Sequence, residues 1–159
     1  MVKKQQEKTN MTWAKIQKLT NIIVPVIGIG LLIFYEVCDT SCSSLRGTFL
    51  GLDLKIVGIL FMIALLAMIP LRRSQFSAPT DHLQTMMLAG AVGGEILLVR
   101  FQVVNDTYCP FCLAFGLCVL ALFSVNFPRM NKYLALGAFC AGIGAFALFF
   151  QGSILPLYG

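Results

Sequence analysis

Between Lys55 and Arg72 the chain carries no charged residue, and from Lys132 to its last residue it carries none at all. Long uncharged apolar runs of this kind recur along most of the sequence, and they limit the folds open to it. Hydrophobic residues make up 58% of the 159 positions and charged residues only 12%. A water-soluble domain carries about 25% charged residues. A small soluble core cannot absorb this much apolar sequence, so the expected product is a single compact membrane domain crossing the bilayer several times.

Five spans are expected, at residues 21–37, 52–71, 83–104, 108–127 and 133–151, after a basic N-terminal segment at 1–20. The first span resembles a signal peptide in position, but its basic leader is long and no Ala-x-Ala-like cleavage pattern follows. An uncleaved helix is therefore expected. Pro128 and Arg129 close the fourth span, and Gly152 and Pro156 lie in a short tail after the fifth. Gly90 and Gly94 are four residues apart, as are Ala138 and Gly142, a spacing that lets helix backbones approach closely in lipid.

An odd number of spans places the two termini on opposite sides of the membrane. With the N-terminus inside, the inner segments hold Lys3, Lys4, Lys8, Lys15, Lys18, Arg72, Arg73, Arg129 and Lys132. The outer ends then hold only Arg46, Lys55 and Arg100. The positive-inside rule favours that orientation. The net charge of +5 is thus a topology signal, and nothing in the chain suggests a nucleic-acid partner.

Two cysteine pairs stand out: Cys38 and Cys42 in the first loop, and Cys109 and Cys112 at the head of the fourth span. The expected topology puts both on the outer side. Cys109-Pro-Phe-Cys112 has the Cys-x-x-Cys spacing that permits cycling between dithiol and disulfide. Its place at a helix N-terminus, where unpaired amides and the helix dipole favour negative charge, makes a thiolate available. Cys38 and Cys42, four residues apart, would have Cα atoms about 6 Å apart on a helical turn, within the range of a disulfide. Redox cycling is the reading these spacings favour. The alternatives are static disulfides, or a four-cysteine zinc site in a protein that is not an enzyme.

Other residues carry weaker signals. Glu95 lies near the middle of the third span, where an ionisable group normally faces a cavity or a partner. It is a candidate proton relay. Arg100, nearer the outer surface, would stabilise a thiolate or a negative charge on a reduced substrate, or would anchor the helix at the interface. Phe111 and Phe115, with Phe101, are candidates to line an aromatic pocket. Cys118 and Cys140 read as packing residues, and His82 falls on the inner side.

The stretches CDTSCSSLRGTFLGLDLKIVGIL (Cys38 to Leu60) and NDTYCPFCLAFGLCV (Asn105 to Val119) resemble the vitamin K epoxide reductase family, especially its bacterial homologues. In that family a loop cysteine pair follows the first helix. A Cys-Ser, a Gly near the second helix and a Cys-x-x-Cys heading the fourth come after it. Here Cys42-Ser43, Gly51 and Cys109-x-x-Cys112 stand in that order. The resemblance implies an all-α integral membrane protein, a four-helix transmembrane bundle around a quinone with a fifth peripheral transmembrane helix. It implies that Cys38 faces a soluble thiol protein, that Cys42 exchanges with Cys109, and that Cys112 faces a quinone of ubiquinone or menaquinone type.

Departures are present as well. The loop pair is more closely spaced than in the family, Thr48 replaces a frequent serine, and Gly116 stands where animal enzymes have a tyrosine. These changes favour a simple quinone over vitamin K epoxide. The DsbB family is a rival of the same chemistry, but its pairs come in the opposite order. The expectation is a monomeric thiol:quinone oxidoreductase of the bacterial cytoplasmic membrane. Its active site would be extracytoplasmic and its partner a separate thioredoxin-like protein, since the chain ends at Gly159 without a fused one.

Overall fold

The computed structural model describes the backbone of residues 2–37, 45–71 and 77–154, and the side chains of the same residues except 2–12, 14, 45–46, 77–78 and 153–154. The chain forms α1 (Val2–Val37), β1 (Leu45–Phe49), β2 (Leu52–Asp53), α2 (Leu54–Leu71), α3 (Ser77–Val104), α4 (Pro110–Asn126), a 3-10 turn (Phe127–Arg129), α5 (Lys132–Phe149) and β3 (Phe150–Ile154). Five helical segments are long and apolar enough to cross a membrane: Lys15–Val37, Leu54–Leu71, Pro79–Val104, Pro110–Arg129 and Lys132–Phe149. Their outward faces are apolar, with Ile23, Ile27 and Phe34 of α1 and Leu148 of α5 all exposed. Such a surface suits lipid, and the chain is a helical, multi-pass membrane protein.

Helix α1 packs against α2 and α4, and α3 packs against α2, α4 and α5. The interior is filled by Met62, Leu65 and Met68 of α2, Leu88 and Val92 of α3, and Val119 and Leu122 of α4. In lipid, apolar burial gives little drive for association, so close packing and buried polar contacts must hold the helices together. Both are present. Asn126 of α4 exchanges hydrogen bonds with Asn21 of α1 (3.1 and 2.7 Å), and its Oδ1 also accepts from Gln17 Nε2 at 3.0 Å. Asn126 Nδ2 further donates to the Leu122 carbonyl at 2.7 Å. All three side chains are buried.

The small-residue spacing read from the sequence marks the α3–α5 crossing. Gly90 lies under Ala138 and Gly142, so that a Cβ on Gly142 would sit 2.7 Å from the Gly90 Cα and closer still to its carbonyl oxygen. A Cβ on Gly93 would collide with the Phe139 carbonyl, and one on Gly94 would lie 2.5 Å from the Phe146 ring. Hydrogen side chains at these positions are what permit backbone-to-backbone contact.

The helices differ from the expected spans at their ends. Helix α1 continues through the basic N-terminal segment, and α3 begins at Ser77, ahead of the start expected for the third span at residue 83. Helix α5 ends at Phe149, because Phe150 leaves it with extended backbone angles. The tail then forms β3, an element the sequence reading did not anticipate. It pairs antiparallel with β1 from Phe49↔Phe150 to Leu45↔Ile154. Strand β1 also pairs with β2 through the two-residue turn Leu50-Gly51, both at positive φ (54° and 79°). That is the type I′ geometry suited to hairpins, and it explains a glycine at position 51. The three strands, in the order β2-β1-β3, cap one end of the helices.

Replacing Gly142 with Leu should lower the thermal midpoint in detergent, by an overpacking cost of about 1–3 kcal/mol or more. Gly137, on the same helix, has nothing within 4 Å of its Cβ position, so Gly137→Leu should leave the midpoint unchanged. Circular dichroism melts of the two variants make the comparison.

Candidate functional site

The Cys-x-x-Cys is presented by a short turn between α3 and α4. Asn105 Nδ2 donates to the Phe101 carbonyl at 2.8 Å, and Asp106 adopts a left-handed conformation at φ 48°. The chain then returns along α3, with the Thr107 amide donating to the Gln102 carbonyl at 3.0 Å. Gln102 is 1% exposed, and its Oε1 accepts the Cys109 amide at 2.9 Å. This side chain was not singled out from the sequence. A glutamine among apolar residues in a span carries no pattern that reveals its partner.

Cys109 is the N-cap of α4. Pro110 occupies the first helical position, where its fixed φ suits the helix and its missing amide costs nothing. The Cys109 sulfur therefore sits where a capping oxygen would, and it accepts the Cys112 amide at 3.4 Å. The Cys112 thiol also donates to it, and this bond, with the Cys112 and Phe111 amides, holds the Cys109 thiol pKa below the ordinary thiol range against the opposing effect of burial. In this dithiol the sulfur that collects the donors is Cys109.

Cys109 is enclosed by Tyr35, Phe101, Phe111 and Cys112. The Phe111 ring lies 5.2 Å from that of Tyr35 and 6.0 Å from that of Phe34, which fixes the head of α4 against the end of α1. Cys112, one turn further on, opens onto a cavity of about 360 Å³. All five helices and the sheet contribute to its wall. Leu32, Phe61, Met87 and Leu98 make much of it apolar, Phe111 and Phe115 flank Cys112, and α5 supplies Gly142, Ala145 and Phe146.

Polar groups occupy two places in this wall. At the end nearest the sheet, Lys55 donates to Glu36, lies 3.7 Å from Asp53, and stands 5.5 Å above the Tyr35 ring. The other polar group is Glu95 of α3, whose carboxylate makes no hydrogen bond or ion pair among the described residues. The Lys55 cluster was missed from the sequence, although opposite charges at the adjoining ends of the first two spans were its available signal.

The structure thus brings Cys112, Phe111, Phe115 and Glu95 to one cavity, with Cys109 immediately behind Cys112. Arg100 is exposed on α3 and has no part in the cavity wall. Cys118 packs against the central core and Cys140 is exposed on α5. Cys38 and Cys42 lie outside the described residues, as does the side chain of Arg46. The ends of the segment that carries the pair are fixed, Val37 by α1 and Leu45 by its pairing with Ile154. Among the described residues, no group of three or more His, Cys, Asp or Glu side chains is arranged to hold a metal ion.

No protein-family model matches this chain, and no curated protein matches it.

With Cys38, Cys42, Cys118 and Cys140 replaced by alanine, thiolate absorbance should rise with pH through a midpoint below the ordinary thiol range as Cys109 ionises. The further change Cys112→Ala removes the largest cause of that shift. It should move the midpoint upward, toward the ordinary thiol range of about 8.5. Ultraviolet titration of the two proteins measures the difference.

Proposed function

We propose that this protein is a membrane thiol:quinone oxidoreductase of the vitamin K epoxide reductase type, one that regenerates disulfides in a separate thioredoxin-like protein. The observation that carries the reading is the position of Cys112 on the wall of a large apolar cavity, with the more acidic Cys109 directly behind it. A volume of about 360 Å³ falls in the range of small-molecule sites. Its aromatic and aliphatic lining suits a planar, weakly polar ring, so the residues present fit a quinone.

When bound, a quinone supplies an acceptor for two electrons and two protons. The protein's part begins at Cys38 and Cys42. Their disulfide is attacked by a partner thiolate, and resolution of the mixed disulfide leaves the partner oxidised and the pair reduced. Cys42 then attacks the Cys109–Cys112 disulfide at Cys109, and Cys38 resolves the bridge. The first pair is now oxidised and the second is a dithiol. Formation of the Cys109–Cys112 bond releases two electrons at Cys112, the sulfur that borders the cavity. Acidity at Cys109 serves the resolving step, because a low-pKa thiol is the better leaving group when Cys38 attacks Cys42 and releases Cys109 from the mixed disulfide.

The same reading gives the arrangement in the membrane. Helices α1 to α4 form the bundle and α5 is the added fifth helix, applied to the outside of α3. The basic residues of the N-terminal segment and of the ends at Arg72, Arg73, Arg129 and Lys132 favour an inner N-terminus. Both cysteine pairs then face the extracytoplasmic side, in a bacterial cytoplasmic membrane. The packing of α5 leaves most of its surface toward lipid, in keeping with a monomer.

Purified protein should oxidise a reduced thioredoxin-like partner only when a short-chain quinone is supplied. Cys112→Ser should abolish turnover, and full turnover by that variant would exclude the relay. In Cys38→Ala the exchange should stall as a Cys42–Cys109 bridge, identified by non-reducing peptide mapping.

A further inference from the structure

Glu95 is the one acidic side chain in the wall of the cavity that the cysteine chemistry and the Lys55 cluster leave without a role. It lies within the span Pro79–Val104, yet its carboxylate has no hydrogen-bond or ion-pair partner among the described residues. The cation in the cavity wall, Lys55, is engaged by Glu36 and Asp53 at the end nearest the sheet. Arg100 is exposed and outside the wall. The residues that α5 adds to the cavity wall, Gly142, Ala145 and Phe146, are uncharged. From α1 the wall presents Tyr35 and Glu36, and from α4 Cys112. An ionisable group at this depth is costly and is normally retained for a function.

The space it occupies is specific. A Cβ on Gly116 would lie 2.9 Å from Glu95 Oε2 and 3.4 Å from its carboxyl carbon. Gly116 is four residues after Cys112 on α4 and so shares its face. The absent side chain makes a recess one turn beyond the sulfur, and the carboxyl fills it.

We propose that Glu95, seated in the recess left by Gly116, is the carboxylic acid that delivers a proton to the quinone reduced by Cys112. The assignment rests on the oxidoreductase reading and deepens it. The balance requires such a donor. Cys109 enters the step as a thiolate and Cys112 as a thiol, so bond formation between them yields two electrons and one proton. Reduction of a quinone to a quinol takes two electrons and two protons. Cys112 supplies one proton and Glu95 the other, and the carboxylate recovers one proton from water in each turnover.

The test is single-turnover reduction of a short-chain ubiquinone by the pre-reduced full-length protein, followed by quinone absorbance across a range of pH. Glu95→Gln keeps shape and volume, and an unchanged melting temperature verifies its fold. We expect the rate to fall at least about tenfold, the lower side of what general acids contribute, with quinone affinity little changed. The wild-type rate should decline as pH rises through the titration of the carboxyl, and this limb should be missing in Glu95→Gln and kept in Glu95→Asp. Gly116→Ala, which displaces the carboxyl without removing it, should also slow the step. A Glu95→Gln rate within twofold of wild type, with the same pH profile, overturns the proposal. A second readout is independent of turnover: the infrared carbonyl band of a protonated carboxylic acid should shift when the quinone is added and be absent in Glu95→Gln. If wild-type protein binds the quinone with that shift but does not reduce it, the oxidoreductase reading fails and the contact with Glu95 stands. If no band responds to the quinone, the role of Glu95 fails.

Discussion

The direct backbone contact between Gly90 of α3 and Gly142 of α5 sets the position of everything that reaches the cavity from the C-terminal end of the chain. Lipid offers helices no hydrophobic reason to associate, so the approach must be secured by close packing. Once α5 lies in that groove, Ala145 and Phe146 follow one turn later and enter the cavity wall. The same placement carries Phe150 to the edge of β1 and lets the last strand pair with it. Phe146 stacks on Phe49 at 4.7 Å, and Phe150 meets Phe101 edge-on at 5.3 Å. The helix crossing is thereby tied both to the strand that follows the first cysteine loop and to the helix that ends beside the second pair.

What the sequence revealed depended on periodicity and on local chemistry. Apolar runs between charged boundaries marked five helices, because a spanning segment must satisfy its backbone internally and has few other ways to do so. Gly90, Gly94, Ala138 and Gly142 marked a helix crossing through spacing alone. The fourth span placed the Cys-x-x-Cys at a helix head, and the structure starts that helix at Pro110 with Cys109 as its cap. Contacts made across the fold left no such trace. Strand β3 was hidden because Phe149 and Phe150 read as a continuation of the helix. The residue that permits the strand is Gly152, where a Cβ would collide with the Phe101 ring, and nothing near Gly152 in sequence announces that ring. Gln102 and the Asn21–Asn126 pair were overlooked for the same reason, since a lone amide in a span shows its burial but not its partner.

The two halves of the Cys-x-x-Cys acquire different chemistry from one turn of helix. Cys109 stands before the first turn, where it collects a thiol and two amide donors, and its own amide is held by Gln102. Cys112 is inside the helix, where its amide is already committed to Cys109 and its sulfur borders the cavity. A motif of two identical residues is therefore split by its location at a helix end into a sulfur that suits exchange with another thiol and a sulfur that suits contact with an apolar substrate. Moving the motif four residues further along α4 would erase the difference, because both amides would then be taken by backbone carbonyls.

The polar groups of the cavity follow a similar division. At the end nearest the sheet, Lys55 bridges the carboxylates of Glu36 and Asp53 and joins the end of α1 to the start of α2. Two carboxylates share the one ammonium there, so the cluster has no cation to spare for Glu95. Glu95 is different because the surrounding wall offers it no positive charge, and the recess at Gly116 gives it room without giving it a donor. A lone carboxyl in that setting is costly to keep, and it lines the same cavity as Cys112. The absence of a side chain at Gly116 and the presence of a carboxyl at position 95 then form one structural feature, so a change at either residue alters the space open to the other.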